Sequence, residues 1–458
     1  SMIHNKRAVW AVWLLVAAAA AIAGRSADNS LRASLSRVHT SAQASQFSSY
    51  TAAADGNVGL SADLRPFELV TKVLRIVKDN YVDPVEPFDN QKMAHNAVKY
   101  MVASLGDSGS RFMDAKQAKA LAELAEGTSN GIGAALKIRE VKKEDYTDQQ
   151  LTVVAPLEGS PAQKAGLLPG DVIDTVDGKW VKSHDPYVQA IKLAKDFKAS
   201  IADRKKAYKD AEALNKNSMT LEAAFDTLST AGEGELALKV LRRGKPLTVK
   251  LGRARVSPPA VTSRVLEGNV AHIRMGILTP KAGEDFQKAL GQMRGDGVSR
   301  LVLDLRNSPG GSIKAAQQIA GSLVPGAKLG AVVRSKGARE NLWATRDPKA
   351  ARMTVVVLVN EGTEGASEVL AAGLRDAAGA KLIGNTTWGN AMESTAFRLA
   401  DGSGYTLTTG KYLPAKGADY QGKGIKPDAI LPMTPAKIGT ADDGQLSRAL
   451  SVARRPAA

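Results

Sequence analysis

The chain of 458 residues has no cysteine. That excludes disulfides, thiolate metal sites, a cysteine nucleophile and a lipidated cysteine anchor. Aromatic residues make up only 5% of it. The cations lie dispersed among acids rather than interleaved with aromatics, so a nucleic-acid partner is not expected. The five histidines, His4, His39, His95, His184 and His272, show no metal-ligand spacing. No phosphate-binding glycine fingerprint follows a strand, and neither cofactor nor metal is expected. Long apolar runs are also scarce. Ala8–Ala23 is uncharged and apolar but is shorter than the roughly 20 residues a spanning helix needs.

What is present begins at that run. Lys6 and Arg7 precede it and Ala21-Ile22-Ala23 closes it, the arrangement of a signal peptide over 1–23. An uncleaved anchor is the alternative. Either reading places the protein in the bacterial periplasm or cell envelope. The net charge of +16 then implies a loose peripheral attraction to anionic membrane or to acidic partners.

Residues 24–64 are rich in Ala, Ser, Thr, Asn and Asp with weak periodicity, as in a flexible linker. Residues 65–126 read as helical, through Leu69, Val70, Val73, Leu74, Ile76 and Val77 and again through Met93, Ala97, Val98, Met101 and Leu105. Glycine turns and strands follow over 127–255, among them Gly159-Ser160-Pro161, Gly166-Leu167-Leu168-Pro169-Gly170-Asp171 and an Asp177-Gly178 hairpin turn. Within that stretch, residues 195–232 combine mixed charge with helical apolar spacing and read as an inserted helical hairpin after a helix at Asp185–Leu193. Ser257-Pro258-Pro259 marks the next boundary. From 256 to 435, strands and helices alternate, which argues for a mixed or parallel sheet with flanking helices. A final helix and tail occupy 436–458.

These turn signals in order, with Asn80–Val85, Gly422-Lys423-Gly424-Ile425-Lys426-Pro427-Asp428 and the strand-loop-helix at Thr354–Ala378, resemble the carboxyl-terminal processing peptidases, or tail-specific proteases. The resemblance covers about Pro66 to Leu450. It implies an α/β peptidase core with an inserted PDZ domain and an N-terminal helical region. It also implies a serine–lysine peptidase whose nucleophile lies three residues before Glu368, at Gly365. The lysine position, twenty-five residues later, is Asn390, and a helper glutamine position is Ser394. All three roles are vacant in one register. Ser367 is the outside candidate. Two residues turn a helical side chain by about 200°, so Ser367 is expected to face away from the site and to help cap the helix. The family's oxyanion donors correspond to Gly310 or Gly311 and the N–H of Ala366. The carboxylate-binding loop of the PDZ domain corresponds to Gly131, Ile132, Gly133 and Ala134, with peptide or protein C-termini as ligands.

The leading expectation is therefore an exported pseudopeptidase that binds, scaffolds or regulates. An active peptidase with a rewired site is one alternative. A structural envelope component docking through 195–232 onto an envelope protein is another. A homo-oligomer is compatible with each.

Overall fold

The computed structural model describes residues 68–82, 90–350, 352–417 and 419–454. The expected signal peptide and linker, residues 83–85 of the Asn80–Val85 motif and the last residues of the tail lie outside these. Among the described residues no helix is long and apolar enough to cross a membrane. The chain divides into two units, residues 1–97 and 98–458. The first contains helix α1 (Glu68–Asn80) and most of α2 (Asn90–Ala103), which runs on into the second.

The second unit opens with β1 (Arg111–Met113) and α3 (Ala115–Ala125), whose N-cap Asp114 accepts from the Gln117 N–H in a capping box. The PDZ domain follows. Its strands are β2 (Ala134–Lys142), β3 (Thr147–Pro156), β4 (Val172–Val176), β5 (Lys179–Val181), β6 (Ser218–Met219), β7 (Leu236–Arg242) and β8 (Lys245–Leu251). Its helices are α4 (Pro161–Lys164), α5 (Val188–Lys195), α6 (Ile201–Lys216) and α7 (Leu221–Ser229). Asp177 and Gly178 both take positive φ, 49° and 75°, as a two-residue hairpin turn between β4 and β5 requires.

The insertion lies elsewhere than the expected 195–232. Leu221, Ala224 and Leu228 of α7 are buried in the PDZ core beside Ile132, Leu136 and Val153. So α7, not the Asp185–Leu193 helix, is the helix packed against the domain. β5 and β6 pair in parallel, Trp180 with Ser218 and Val181 with Met219. This pairing pins the ends of the excursion, so that α5 and α6 form a hairpin projecting between them. Apolar spacing looked alike in α5 and α7. Which one touches the sheet depends on where the chain returns.

The peptidase core is a six-stranded sheet in the order β18-β15-β14-β11-β10-β9. It comprises β9 (Val261–Leu266), β10 (Val270–Met275), β11 (Arg300–Asp304), β14 (Thr354–Val359), β15 (Lys381–Gly384) and β18 (Ala429–Ile430). All pairs are parallel except β9 with β10. Its central strands read as apolar runs, Leu301-Val302-Leu303 in β11 and Val355–Val359 in β14, because both faces are covered there. Leu301, Leu303, Val355, Val357 and Val359 face a core shared with α8 (Ala282–Gly295), α9 (Ile313–Gly321) and α10 (Ala366–Ala378). Val302, Val356 and Leu358 alternate onto the other face, against Leu446, Ala449 and Ala453 of α11 (Gly444–Ala453). A second sheet joins β1 and β12 (Lys328–Val333), β13 (Arg339–Trp343), β16 (Met392–Arg398) and β17 (Gly404–Pro414), all antiparallel.

Candidate active site

Two loops at the carboxyl ends of adjacent strands build the site. β11 leads into Leu305–Ser312 and β14 into Asn360–Gly365. Amide side chains stitch them together. The Asn307 N–H donates to Asn360 Oδ1 at 2.9 Å, and Asn360 Nδ2 to Asn307 Oδ1 at 2.8 Å. The Thr363 hydroxyl donates to the Leu305 carbonyl at 2.8 Å, and the Glu364 N–H to the Ser308 carbonyl at 3.0 Å. The two glycines are dictated by this closeness. A Cβ on Gly310 would lie 2.8 Å from the Glu364 carbonyl and 3.3 Å from the Ala366 nitrogen; one on Gly311 would lie 2.4 Å from the Leu278 carbonyl. The N–H groups of Gly310, Gly311 and Ala366 have no acceptor among the described residues. Gly310 and the Ala366 nitrogen are neighbours at the start of α10, where helix N–H groups stand open.

Gly365 stands at the N-cap of α10 with φ 58° and ψ −119°. That backbone makes a sharp strand-to-helix turn, and a Cβ there would meet nothing within 4 Å. Ser367, two residues on, is fully buried and bonds Ser308 Oγ at 2.7 Å, while Ser308 donates to the Gly276 carbonyl at 2.6 Å. The Ser367 proton is therefore directed into the protein, away from the open donors. Capping of α10 falls to Glu368, which takes the Gly365 N–H at 3.1 Å.

Glu368 is fully buried and collects three further donors from the 387–390 loop: the Thr387 hydroxyl, the Gly389 N–H at 2.7 Å and the Asn390 N–H at 2.8 Å. Burial pushes its carboxyl up to about 7, reinforced by nearby Glu364 and opposed by the donors. It fastens that loop to the helix start and so fixes position 390. The Asn390 amide spends both ends locally: Oδ1 accepts from the Met392 N–H at 3.1 Å, and Nδ2 donates to Glu364 Oε1. Ser394 is exposed on β16, where a register shift follows Glu393. Its hydroxyl lies toward Gly109 rather than Asn390.

Glu364 is the residue that sequence reasoning missed. It is almost fully buried, and its second carboxylate oxygen lies 3.0 Å from where a Gly310 Cβ would be. The Lys137 ammonium, on β2 of the PDZ domain, pairs with the same Oε1 that receives Asn390. So a carboxylate, an amide and a lysine from another domain fill the space beside the open donors. Arg139, two residues along β2, stacks over the Trp388 ring at 4.1 Å and donates to the Trp388 carbonyl at 3.2 Å. Trp388 in turn packs on Ala135 and Val154. The loop carries two acids, Glu361 and Glu364, and nothing in the sequence tells which of them is buried. Nothing local signals Lys137 or Arg139.

In the PDZ domain, the Ile132 N–H donates to the Leu228 carbonyl at 2.8 Å, and a Cβ on Gly131 would lie 2.0 Å from that oxygen. The last turn of α7 thus presses on the Gly131–Ala134 loop. Gly133 takes φ 74° against Ser160, and Ala134 starts the pairing of β2 with β3. Among the described residues, no strand lies on the other edge of β2.

Comparison with known proteins agrees with this architecture. Residues 269–431 match Peptidase family S41 and residues 152–201 match a PDZ domain. The carboxy-terminal processing protease CtpA of Bacillus subtilis is 30% identical over 362 residues, 79% of this chain and 68% of that protein. The carboxyl-terminal-processing protease of Synechocystis is 27% identical over 386 residues, covering 82% of this chain and 80% of that protein. Among solved structures, the photosystem II D1 C-terminal processing protease superposes with a TM-score of 0.58 at 25% identity, over 84% of this chain and 96% of that one. The chain belongs to the PDZ-containing C-terminal processing proteases of peptidase family S41.

Proposed function

We propose that this chain is a pseudopeptidase of the cell envelope, a binding or regulatory subunit that uses its PDZ domain to hold peptide or protein C-termini. The observation that carries the reading is the 364–365–390 constellation. Acyl transfer needs a hydroxyl at the turn and a neutral amine to take its proton. Position 365 has no side chain, and position 390 holds an amide that donates to Glu364. The Lys137 amine comes close, but it is paired with the Glu364 carboxylate. Ser367 is bonded to Ser308, and among the described residues no basic side chain bonds it.

The unpaired edge of β2 supports peptide addition as an extra strand. Because the Ile132 N–H is already bonded to Leu228, a bound carboxylate would need α7 to draw back. Two assays on one preparation test the reading. Unstructured casein, incubated for a day, is expected to remain intact. A fluorescent peptide with a free apolar C-terminus is expected to bind and its C-terminal amide to bind more weakly. Casein fragments that disappear in Ser367→Ala would establish the rewired peptidase instead. Equal binding of acid and amide would remove the carboxylate-capture role.

A further inference from the structure

The α5–α6 hairpin ends in a turn at Asp196–Ser200, remote from its base at the β5–β6 pair. The α6 helix alone, at 16 residues, carries the chain about 24 Å. At this tip Phe197 is 100% exposed and Ile201 82% exposed. The turn is internally built. Asp196 accepts from the Lys198 N–H at 2.9 Å, Arg204 donates to the Asp196 carbonyl at 2.6 Å, and Ser200 caps α6 through the Asp203 N–H at 3.0 Å. The helices are joined lower down, where the rings of Tyr187 and Tyr208 lie 5.6 Å apart. Neither tip residue is spent on holding the hairpin together.

Around the two apolar side chains the charge is one-sided. Between 192 and 209 stand Lys192, Lys195, Lys198, Arg204, Lys205, Lys206 and Lys209 against Asp196 and Asp203. Both acids are engaged within the tip, Asp203 with the Ser200 hydroxyl at 2.6 Å. Lys192 pairs with Asp145 and Glu144 near the base. A large apolar side chain at the end of a basic arm matches the two requirements of an anionic bilayer surface. Cations are drawn to the headgroups, and an apolar group enters the acyl boundary.

We propose that the tip of the α5–α6 hairpin is a lipid-surface anchor: Phe197 and Ile201 insert into an anionic bilayer, while Lys195, Lys198 and Lys205 contact its headgroups. This surface is independent of the peptidase-like cleft, and its failure would leave the reading of that cleft untouched.

The absence of cysteine allows a direct test. Phe197→Cys in the full chain, labelled with an environment-sensitive nitrobenzoxadiazole fluorophore, is titrated with vesicles of equal parts phosphatidylcholine and phosphatidylglycerol. The label is read at 197 so that the response reports the tip and no other part of the chain. The expected result is a blue shift and a several-fold rise in emission, absent with phosphatidylcholine alone and absent for a label at Lys437→Cys. Adding Lys195→Glu and Lys198→Glu is expected to raise the half-saturating lipid concentration at least tenfold. Reversing Lys381 and Lys437 instead is expected to leave it within twofold. A label at 197 that stays in water while the protein sediments with the vesicles overturns the proposal, because attraction is then due to the overall charge. No response with anionic vesicles, or a response only to a protein partner, overturns it too.

Discussion

Glu364 decides how the vacant positions are read. Gly365 and Asn390 were singled out only through the family resemblance, which sets one position three residues before Glu368 and the other twenty-five residues later, whereas the glycine turn at Gly310–Gly311 was legible in the residues themselves. The occupant of the cleft was not legible in the same way. Glu364 pairs with a lysine 227 positions away, and only the docking of two domains brings them together. This geometry changes the expected outcome of a rescue. A Gly365→Ser, Asn390→Lys variant puts its new amine beside the Glu364 carboxylate, which keeps it protonated. The double variant is therefore expected to show no cleavage of casein. Adding Glu364→Ala is expected to yield slow, measurable cleavage, reduced by the cost of roughly 1–3 kcal/mol of a serine at φ 58°. Glu368 supplies a second prediction. Its carboxyl is raised to about 7 from an unfolded value near 4.3. The folded state thus binds the proton more tightly, and this contribution is complete below pH 4 and is lost as pH rises through 7. Urea unfolding between pH 5 and 7 is expected to show stability falling by about 2 kcal/mol from this group. In Glu368→Gln that component of the slope is expected to vanish, whatever the variant's absolute stability.

At the scale of elements, the alternation of strands and helices from 256 to 435 was readable, since β11 and β14 are buried on both faces and contain little but apolar residues. The helices around the PDZ domain were misassigned. Ala190, Ile191 and Leu193 of α5 look as core-like as Leu221, Ala224 and Leu228 of α7, and only the β5–β6 bridge reveals which segment is the excursion. The attachment of α11 was also hidden. Arg306 is fully buried and holds Asp304 at 2.6 Å and Asp443 at 2.8 Å, with Gln445 at 3.2 Å. Asp443 caps α11 at the same time, taking the Leu446 N–H at 3.0 Å. Burial pushes both aspartates up, but the Arg306 charge and hydrogen bonds hold them below the usual carboxylate range. Folded values below unfolded ones make this contribution present above about pH 4 and lost as the pH falls further. Asp443→Ala leaves the guanidinium half compensated and is expected to cost about 3 kcal/mol. Hydrogen exchange is expected to speed up first across 444–453. Unchanged protection there would mean that α11 is held by Leu446 and Ala449 alone.

Across the whole molecule, the PDZ strand β2 is a two-faced element. Ala134, Leu136 and Ile138 serve the PDZ core, while Ala135, Lys137 and Arg139 meet the peptidase-like cleft. The same strand offers the edge at which a peptide would add. Its period of two thus places the open sheet edge and the contacts with Glu364 and Trp388 on one backbone. Lys137→Met is expected to cost about 1–2 kcal/mol, since the pair is half exposed on the lysine side. Combined with Trp388→Ala, it is expected to raise hydrogen exchange in the 387–390 loop while leaving β10 and β11 protected. None of this was visible from composition or periodicity, which report on elements singly. The central claim is that the fold has kept the nucleophile turn and its open donors without a nucleophile. The most direct measurement is the intact mass of the wild-type protein after prolonged exposure to a fluorophosphonate probe, alongside Glu364→Ala, Gly365→Ser, Asn390→Lys. The account predicts no adduct on the wild type and a single adduct at position 365 of the triple variant. An adduct on any serine of the wild type, Ser367 above all, would contradict it.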